Sequence, residues 1–305
     1  MHVFYSDQFV LPLPPGHRFP MAKYAALRAR VVASGLVDPA DMHVPERATR
    51  EQLARAHDPA YIDRVCRGDL SAREQREIGF PWSEAMVERS LRSVGATLGA
   101  CRAALRDRSF AVNLAGGTHH AFADRGDGYC VFNDTAVAAR VMQAERRASR
   151  VLVVDCDVHQ GDGTAAIFAD DPTVFTFSIH GAKNYPFKKQ QSDLDIHLPD
   201  RTGDDDYLAA LAAGLDEALA RCEPDLAIYL AGADPYEHDK LGRLALTKEG
   251  LARRDRLVLG TLRQRQIPAA ISMAGGYANN LDDVVDIHFT TVAIAAELSA
   301  QIVLI

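Results

Sequence analysis

Val151-Leu152-Val153-Val154-Asp155-Cys156-Asp157-Val158-His159-Gln160-Gly161-Asp162-Gly163 joins an unbroken apolar run to a dense set of ligand-bearing residues. Four consecutive apolar residues read as a strand covered on both faces, as in a parallel sheet. Three carboxylates and an imidazole are therefore gathered where a core strand ends. Such groups are costly to bury unless they are paired, hydrogen-bonded or bound to a metal. A divalent cation held for catalysis explains them.

The same pattern recurs along the chain. Phe110-Ala111-Val112-Asn113-Leu114 precedes Ala115-Gly116-Gly117-Thr118-His119-His120, and Leu226-Ala227-Ile228-Tyr229-Leu230 precedes Ala231-Gly232-Ala233-Asp234-Pro235. Ala269-Ala270-Ile271-Ser272-Met273 precedes Ala274-Gly275-Gly276-Tyr277, and Val174 to Ile179 is a further apolar run. Amphipathic helices lie between them. Ser83 is placed to cap one with apolar positions Val87, Leu91, Val94, Leu98, Cys101 and Leu105. Asp204-Asp205-Asp206 suits the N-terminus of a second, with Leu208, Leu211, Leu215 and Leu219. A third starts at Thr247 and carries Leu251, Val258 and Leu262. This alternation predicts an α/β fold: a mostly parallel sheet between two helical layers, as one domain over 1–305. Ligand sites of such sheets collect at the strands' carboxyl ends, where all four polar clusters fall.

Composition narrows the partners. The 305-residue chain has a net charge of −7 and a pI near 5.9, which provides no basic track for a nucleic-acid backbone. Cys66, Cys101, Cys130, Cys156 and Cys222 are scattered, which fits reduced thiols of a cytoplasmic protein rather than a disulfide framework. Cys156 reads as a small apolar filler on the packed side of its strand. The opening residues do not read as a signal peptide, and no apolar run approaches the roughly 20 residues of a membrane span.

The clusters have complementary chemistry. Asp157 and His159, two apart in an extended segment, can point to the same side and supply two of a catalytic metal's three usual protein ligands. Asp234 is the candidate third, although alone it would read as a turn residue before Pro235. Two carboxylates and one imidazole make a set that suits Zn²⁺, and also Fe²⁺, Mn²⁺ or Co²⁺. The tandem His119-His120 is hard to explain as packing, and each ring requires an orienting acceptor. Asp155 and Asp162 are available, the first otherwise a strand-end hydrogen-bonder and the second a helix cap. Gly275 and Gly276 permit close approach to a ligand, and Tyr277 would bring a phenol to a developing oxyanion.

In this order, the residues resemble the histone deacetylase family of the arginase/deacetylase fold. The resemblance extends over nearly the whole chain, through Gly117-Thr118-His119-His120-Ala121, Gly128-Tyr129-Cys130-Val131-Phe132-Asn133-Asp134, the Val153 to Gly163 motif, Gly232-Ala233-Asp234 and Gly275-Gly276-Tyr277. Leu11-Pro12-Leu13-Pro14, the Gly16 to Tyr24 segment, Gly79-Phe80-Pro81-Trp82-Ser83 and Asn184-Tyr185-Pro186-Phe187 resemble class IV deacetylases and their bacterial relatives. The class I pattern differs in having a second His where Gln160 stands and another Gly where Ala274 stands.

The resemblance implies Zn²⁺ on Asp157, His159 and Asp234, with His120 as general base and then acid. It pairs His119 with Asp155 and His120 with Asp162, and makes Tyr277 the oxyanion donor. Gly128 and Tyr129 would line the acyl channel, and Arg18 an inner product cavity. Asp155, Asp157, His159, Ser178 and Ile179 match a K⁺ or Na⁺ site. The implied substrate is an acyl-lysine protein or peptide, with acetyl or longer fatty acyl groups. Alternatives are an acetylpolyamine deacetylase, a two-Mn²⁺ ureohydrolase and an acyl-lysine binding module without catalysis.

Overall fold

The computed structural model describes residues 1–300. Eight strands form one sheet: β1 (Val3–Phe4), β2 (Met42–His43), β3 (Phe110–Asn113), β4 (Val151–Asp155), β5 (Val174–Gly181), β6 (Leu194–Leu198), β7 (Leu226–Leu230) and β8 (Ala269–Ser272). Their order is β2-β1-β3-β8-β7-β4-β5-β6, and every neighbouring pair is parallel. The helices are α1 (Ala22–Ser34), α2 (Arg50–Leu53), α3 (Pro59–Arg67), α4 (Ala72–Ile78), α5 (Glu84–Asp107), α6 (Asp134–Ala144), α7 (Asp162–Phe168), α8 (Asp204–Arg221), α9 (Lys248–Gln264) and α10 (Leu281–Ala300). They cover both faces of the sheet, giving two apolar cores. One packs Val154, Phe177 and Tyr229 against residues of α1, α8, α9 and α10; the other packs Val153, Ile228 and Ala270 against α5 and α6.

The helix starts follow from local chemistry. Ser83 Oγ accepts the Met86 amide at 3.1 Å and opens α5. Thr247 Oγ1 accepts the Gly250 amide at 2.9 Å and opens α9. Asp204, in the first turn of α8, also accepts the Thr247 amide and hydroxyl, fastening one helix start to the other. On α8, Tyr207 occupies the buried position one residue before Leu208, which is only half-buried.

Three strands escape the pattern of continuous apolar runs. β1 and β2 are two residues long, and the edge strand β6 carries Asp195 and an exposed His197. Polar residues are affordable there because only one side of an edge strand pairs. The order also explains why the clusters converge. β3, β8, β7 and β4 are consecutive in the sheet, so the loops after them lie side by side along one edge.

Candidate active site

The loop after β3 is built first by hydrogen bonds to the start of α6. Gly116 and Gly117 have φ of +77° and +75°, and a Cβ on Gly117 would lie 2.5 Å from that of Ala274. Asp134, fully buried, accepts the amides of Gly117 and Thr118 at 3.1 and 2.7 Å and the hydroxyls of Thr97 and Thr118 at 2.6 Å. The Asn133 side chain donates through Nδ2 to Ala121 O at 3.0 Å. The tandem histidines thus leave a rigid turn with their rings 4.2 Å apart.

Each ring meets its own carboxylate. His119 Nδ1 is 2.7 Å from Asp155 Oδ2, and His120 Nδ1 is 2.7 Å from Asp162 Oδ1. Asp162 begins α7 but makes no side-chain cap; its carboxylate turns towards His120 instead. Burial alone would lower both imidazole pKa values. For His119 the carboxylates of Asp155 and Asp157 outweigh burial and raise it to about 9. For His120 burial and the charge of His119 outweigh Asp162 and lower it to about 4. At neutral pH His120 is therefore a neutral imidazole, its Nδ1–H donated to Asp162 and Nε2 left as a free base.

Asp157, His159 and Asp234 form the next layer. All are buried, and their ligand atoms lie within 4.8 Å of one another. His159 Nδ1 is 2.8 Å from Asp157 Oδ1 and 3.3 Å from Asp234 Oδ2. Its single Nδ1 hydrogen is directed to Asp157, and Asp234 Oδ2 has no hydrogen-bond partner among the described residues. A fully buried carboxylate oxygen without a donor is the condition a cation relieves. Burial and the charge of Asp157 raise Asp234 to about 7, while the hydrogen bond to Asp157 and the negative charges of Asp157 and Asp234 overcome burial and raise His159 to about 10. This anionic nest is open on the side of Gly275, where a Cβ would lie 1.9 Å from Asp234 Oδ2 and 2.6 Å from Asp157 Oδ2. Hard oxygen donors with one imidazole suit Zn²⁺ or Fe²⁺.

A second group with ligand spacing, His2, Asp41 and His43, lies just before β1, just before β2 and on β2, at the far end of the sheet. Its members satisfy one another: His2 Nδ1 and His43 Nε2 are 2.8 Å apart, and Arg106 donates to His2 Nε2.

The loop after β8 brings Tyr277 to the same cavity. The Gly275 amide donates to Asp157 Oδ2 at 2.8 Å, the Ala233 amide to Gly275 O at 2.9 Å, and the Tyr277 amide to Asp239 Oδ2 at 2.6 Å. Burial, with the negative charges of Asp157 and Asp234, pushes the Tyr277 pKa well above the usual phenol range, so the hydroxyl keeps its proton as a donor.

His119, His120, Asp157, His159, Gly275 and Tyr277 all line one cavity of about 580 Å³. Gly128 and Tyr129 also line it; a Cβ on Gly128 would lie 2.6 Å from His120 Cδ2. Gly276 abuts the wall from behind, 2.8 Å separating its would-be Cβ from Val284 Cγ1. Asp155 and Ser178 are register partners across β4 and β5, with Ile179 next to Ser178 and the Asp157 to His159 loop returning over β5 through Gly181 N to Val158 O.

Arg18 is a correction. It is exposed and lines neither the main cavity nor the adjoining one of about 50 Å³. Its neighbour Phe19, half-buried, turns inward instead, against Phe80, Tyr129 and Tyr277, placing a ring where a guanidinium would need a partner. The cation lining the small cavity is Arg89, stacked 4.3 Å from the Tyr24 ring.

Other positioning residues were not singled out by sequence reasoning. Arg254 is fully buried, pairs with Asp255 at 2.8 Å and donates to Gly232 O at 2.5 Å and Cys156 O at 3.4 Å. It thereby joins the loop that carries Asp157 and His159 to the loop that carries Asp234. Leu251, Val258 and Leu262 already put residues 254 and 255 on the apolar face of α9, so periodicity carried this signal. Tyr185, edge-on to His120 at 5.1 Å, stood out in the sequence only as part of the Asn184 to Phe187 segment, and Asp127, which accepts its hydroxyl, carried no signal.

Comparison with known proteins places the chain in a family. The histone deacetylase domain model matches residues 17–292. An uncharacterized protein of Picosynechococcus sp. is 46% identical over 94% of this chain and 95% of its own length. Histone deacetylase 2 of Arabidopsis thaliana is 29% identical over 86% of this chain and 70% of its own, and the acetoin utilization protein AcuC of Bacillus subtilis 35% identical over 69% and 59%. The crystal structure of a histone deacetylase homologue from Aquifex aeolicus covers 99% of this chain and 84% of its own, with a TM-score of 0.84 at 24% identity. The fold is that of the deacetylases, and the chain belongs to the histone deacetylase family as one of its hydrolases.

Proposed function

We propose that this chain hydrolyses the amide of Nε-acyl-lysine in proteins or peptides, with Zn²⁺ or Fe²⁺ held by Asp157, His159 and Asp234. The observation that carries the reading is the convergence on one cavity of a neutral, carboxylate-oriented imidazole, a protonated phenol, and Asp157 and His159 with Asp234 buried directly behind them. When bound, the cation supplies Lewis-acid polarisation of the acyl carbonyl and acidifies water beside it.

The protein's own groups do the rest. His120 Nε2 takes a proton from the attacking water while Asp162 fixes the ring through Nδ1. The same nitrogen then passes that proton to the departing lysine amine. Tyr277 donates its hydroxyl hydrogen to the oxyanion that forms at the carbonyl. His119, held by Asp155, places positive charge beside the carboxylate-rich nest. Tyr129 offers an aromatic wall to the acyl-lysine stem, and Asp155 with Ser178 forms part of a monovalent-cation site beneath the loop.

The test compares turnover of acetyl- to myristoyl-lysine peptides with that of acetylpolyamines. Faster release of acid from the peptides is expected. Turnover of acetylpolyamines alone would favour a small-amine deacetylase, and no turnover of either would leave a binding module.

A further inference from the structure

Behind the Tyr277 loop lies a buried cation with no part in the chemistry above. Lys23 is 2% exposed and is the second residue of α1, whose first turn contains no acidic residue. A cation there opposes the helix dipole as well as losing its hydration. Among the described residues it forms no ion pair with a carboxylate. Its ammonium donates to Ala274 O at 3.1 Å and lies 5.4 Å from the Tyr277 ring centroid, 5.3 Å from Tyr24 and 5.8 Å from Phe19.

Ala274 is itself unusual. Its φ of +52° is a left-handed conformation that a Cβ disfavours. The three residues after it are Gly275, whose amide reaches Asp157; Gly276, backed by His288; and Tyr277. His288 is buried with no hydrogen-bond partner on either ring nitrogen, and burial with the charges of Lys23 and Arg254 keeps it neutral. Among the described residues, the other hydrogen bonds to the backbone of Ala274 to Tyr277 come from Asp157, Ala233 and Asp239.

We propose that Lys23 is a positioning residue for Tyr277, anchoring the Ala274 carbonyl and lying against the phenol ring so that the hydroxyl is held at the cavity wall. The cost of burying the ammonium is offset by a carbonyl and three aromatic faces, contacts that matter only if the loop must be fixed. The inference rests on the oxyanion role proposed for Tyr277.

The test is Lys23→Met, which preserves length and apolar volume, read by kinetics and by amide hydrogen exchange. Expected is a fall in kcat of about 10–100-fold with KM within about twofold and unchanged metal content. Exchange at the Gly275 and Tyr277 amides should quicken by roughly tenfold or more. In a Tyr277→Phe background the same change should cost less than about twofold in kcat. An equal loss in that background, a change in KM alone, or unchanged exchange would overturn the proposal. If the Met variant does not fold, Lys23→Gln is read by the same criteria. The exchange measurement needs no substrate. If the wild type proves inactive on every acyl-lysine, the proposed function fails while exchange still decides the fate of Lys23.

Discussion

Gly275→Ala adds one methyl group at the mouth of the ligand nest. Gly275 does not have a left-handed φ, so alanine meets no backbone penalty and retains the amide that donates to Asp157. The consequence is steric. The new Cβ would lie 1.9 Å from Asp234 Oδ2 and 2.6 Å from Asp157 Oδ2, whereas real Cβ contacts essentially never fall under 3.0 Å. Asp234 must give by more than 1 Å, yet its Oδ1 is held by the Val158 amide at 2.9 Å and its side chain is fully buried. Metal–ligand distances tolerate only about 0.2 Å, so we expect affinity for Zn²⁺ to fall by about 100-fold, the upper end for perturbed ligand support. At free Zn²⁺ about 1,000 times the wild-type Kd, the wild type gains about 4 kcal/mol and the variant about 1.4 kcal/mol. With about 2 °C per kcal/mol for a chain of this size, the Zn²⁺-induced rise in Tm should shrink from roughly 8 °C to roughly 3 °C. Each protein is measured against its own EDTA-treated form. An equal rise in both would show that Zn²⁺ does not bind between Asp157 and Asp234.

Three other perturbations probe separate parts of the structure. Asp162→Asn leaves His120 without its orienting carboxylate and should lower kcat by about 10²–10⁴-fold, with metal content intact in elemental analysis. Arg254→Met leaves the buried Asp255 uncompensated and frees Gly232 O and Cys156 O, so urea denaturation should show a loss of about 3–5 kcal/mol, much of it recovered when Asp255 is also made apolar. His57 is buried and accepts the Asn133 amide, and burial lowers its pKa from 6.5 to about 4. Between those values the unfolded chain binds a proton that the folded chain does not, so this contribution is complete above about pH 6.5 and is lost as pH falls, by roughly 2–3 kcal/mol at pH 4.5. His57→Gln should flatten the acid side of the stability profile by that amount, read from urea melts at pH 7 and 4.5.

Fold and site were not equally legible in the sequence. β3, β4, β5, β7 and β8 are buried on both faces, and continuous apolar runs announce such strands. β1, β2 and β6 do not, because two paired residues or a half-exposed edge need no apolar run. The candidate ligand residues stood out because carboxylates at the ends of buried strands have few innocent explanations. Their supports did not: Lys23 reaches Ala274 across 251 positions and Asp239 reaches Tyr277 across 38. Arg254 was readable from helix phase, but a charged pair on an apolar face is easily taken for solvent. Arg18 shows the opposite error, since motif position alone could not say whether it or Phe19 would point inward.

The most direct measurement is hydrolysis of an Nε-acetyl-lysine peptide in ¹⁸O-labelled water by metal-loaded wild type and His120→Ala. One labelled oxygen should enter each acetate released by the wild type, and the variant should release acetate slower by orders of magnitude while holding the same metal. Comparable release by His120→Ala, or unlabelled acetate, would contradict a water attack assisted by His120.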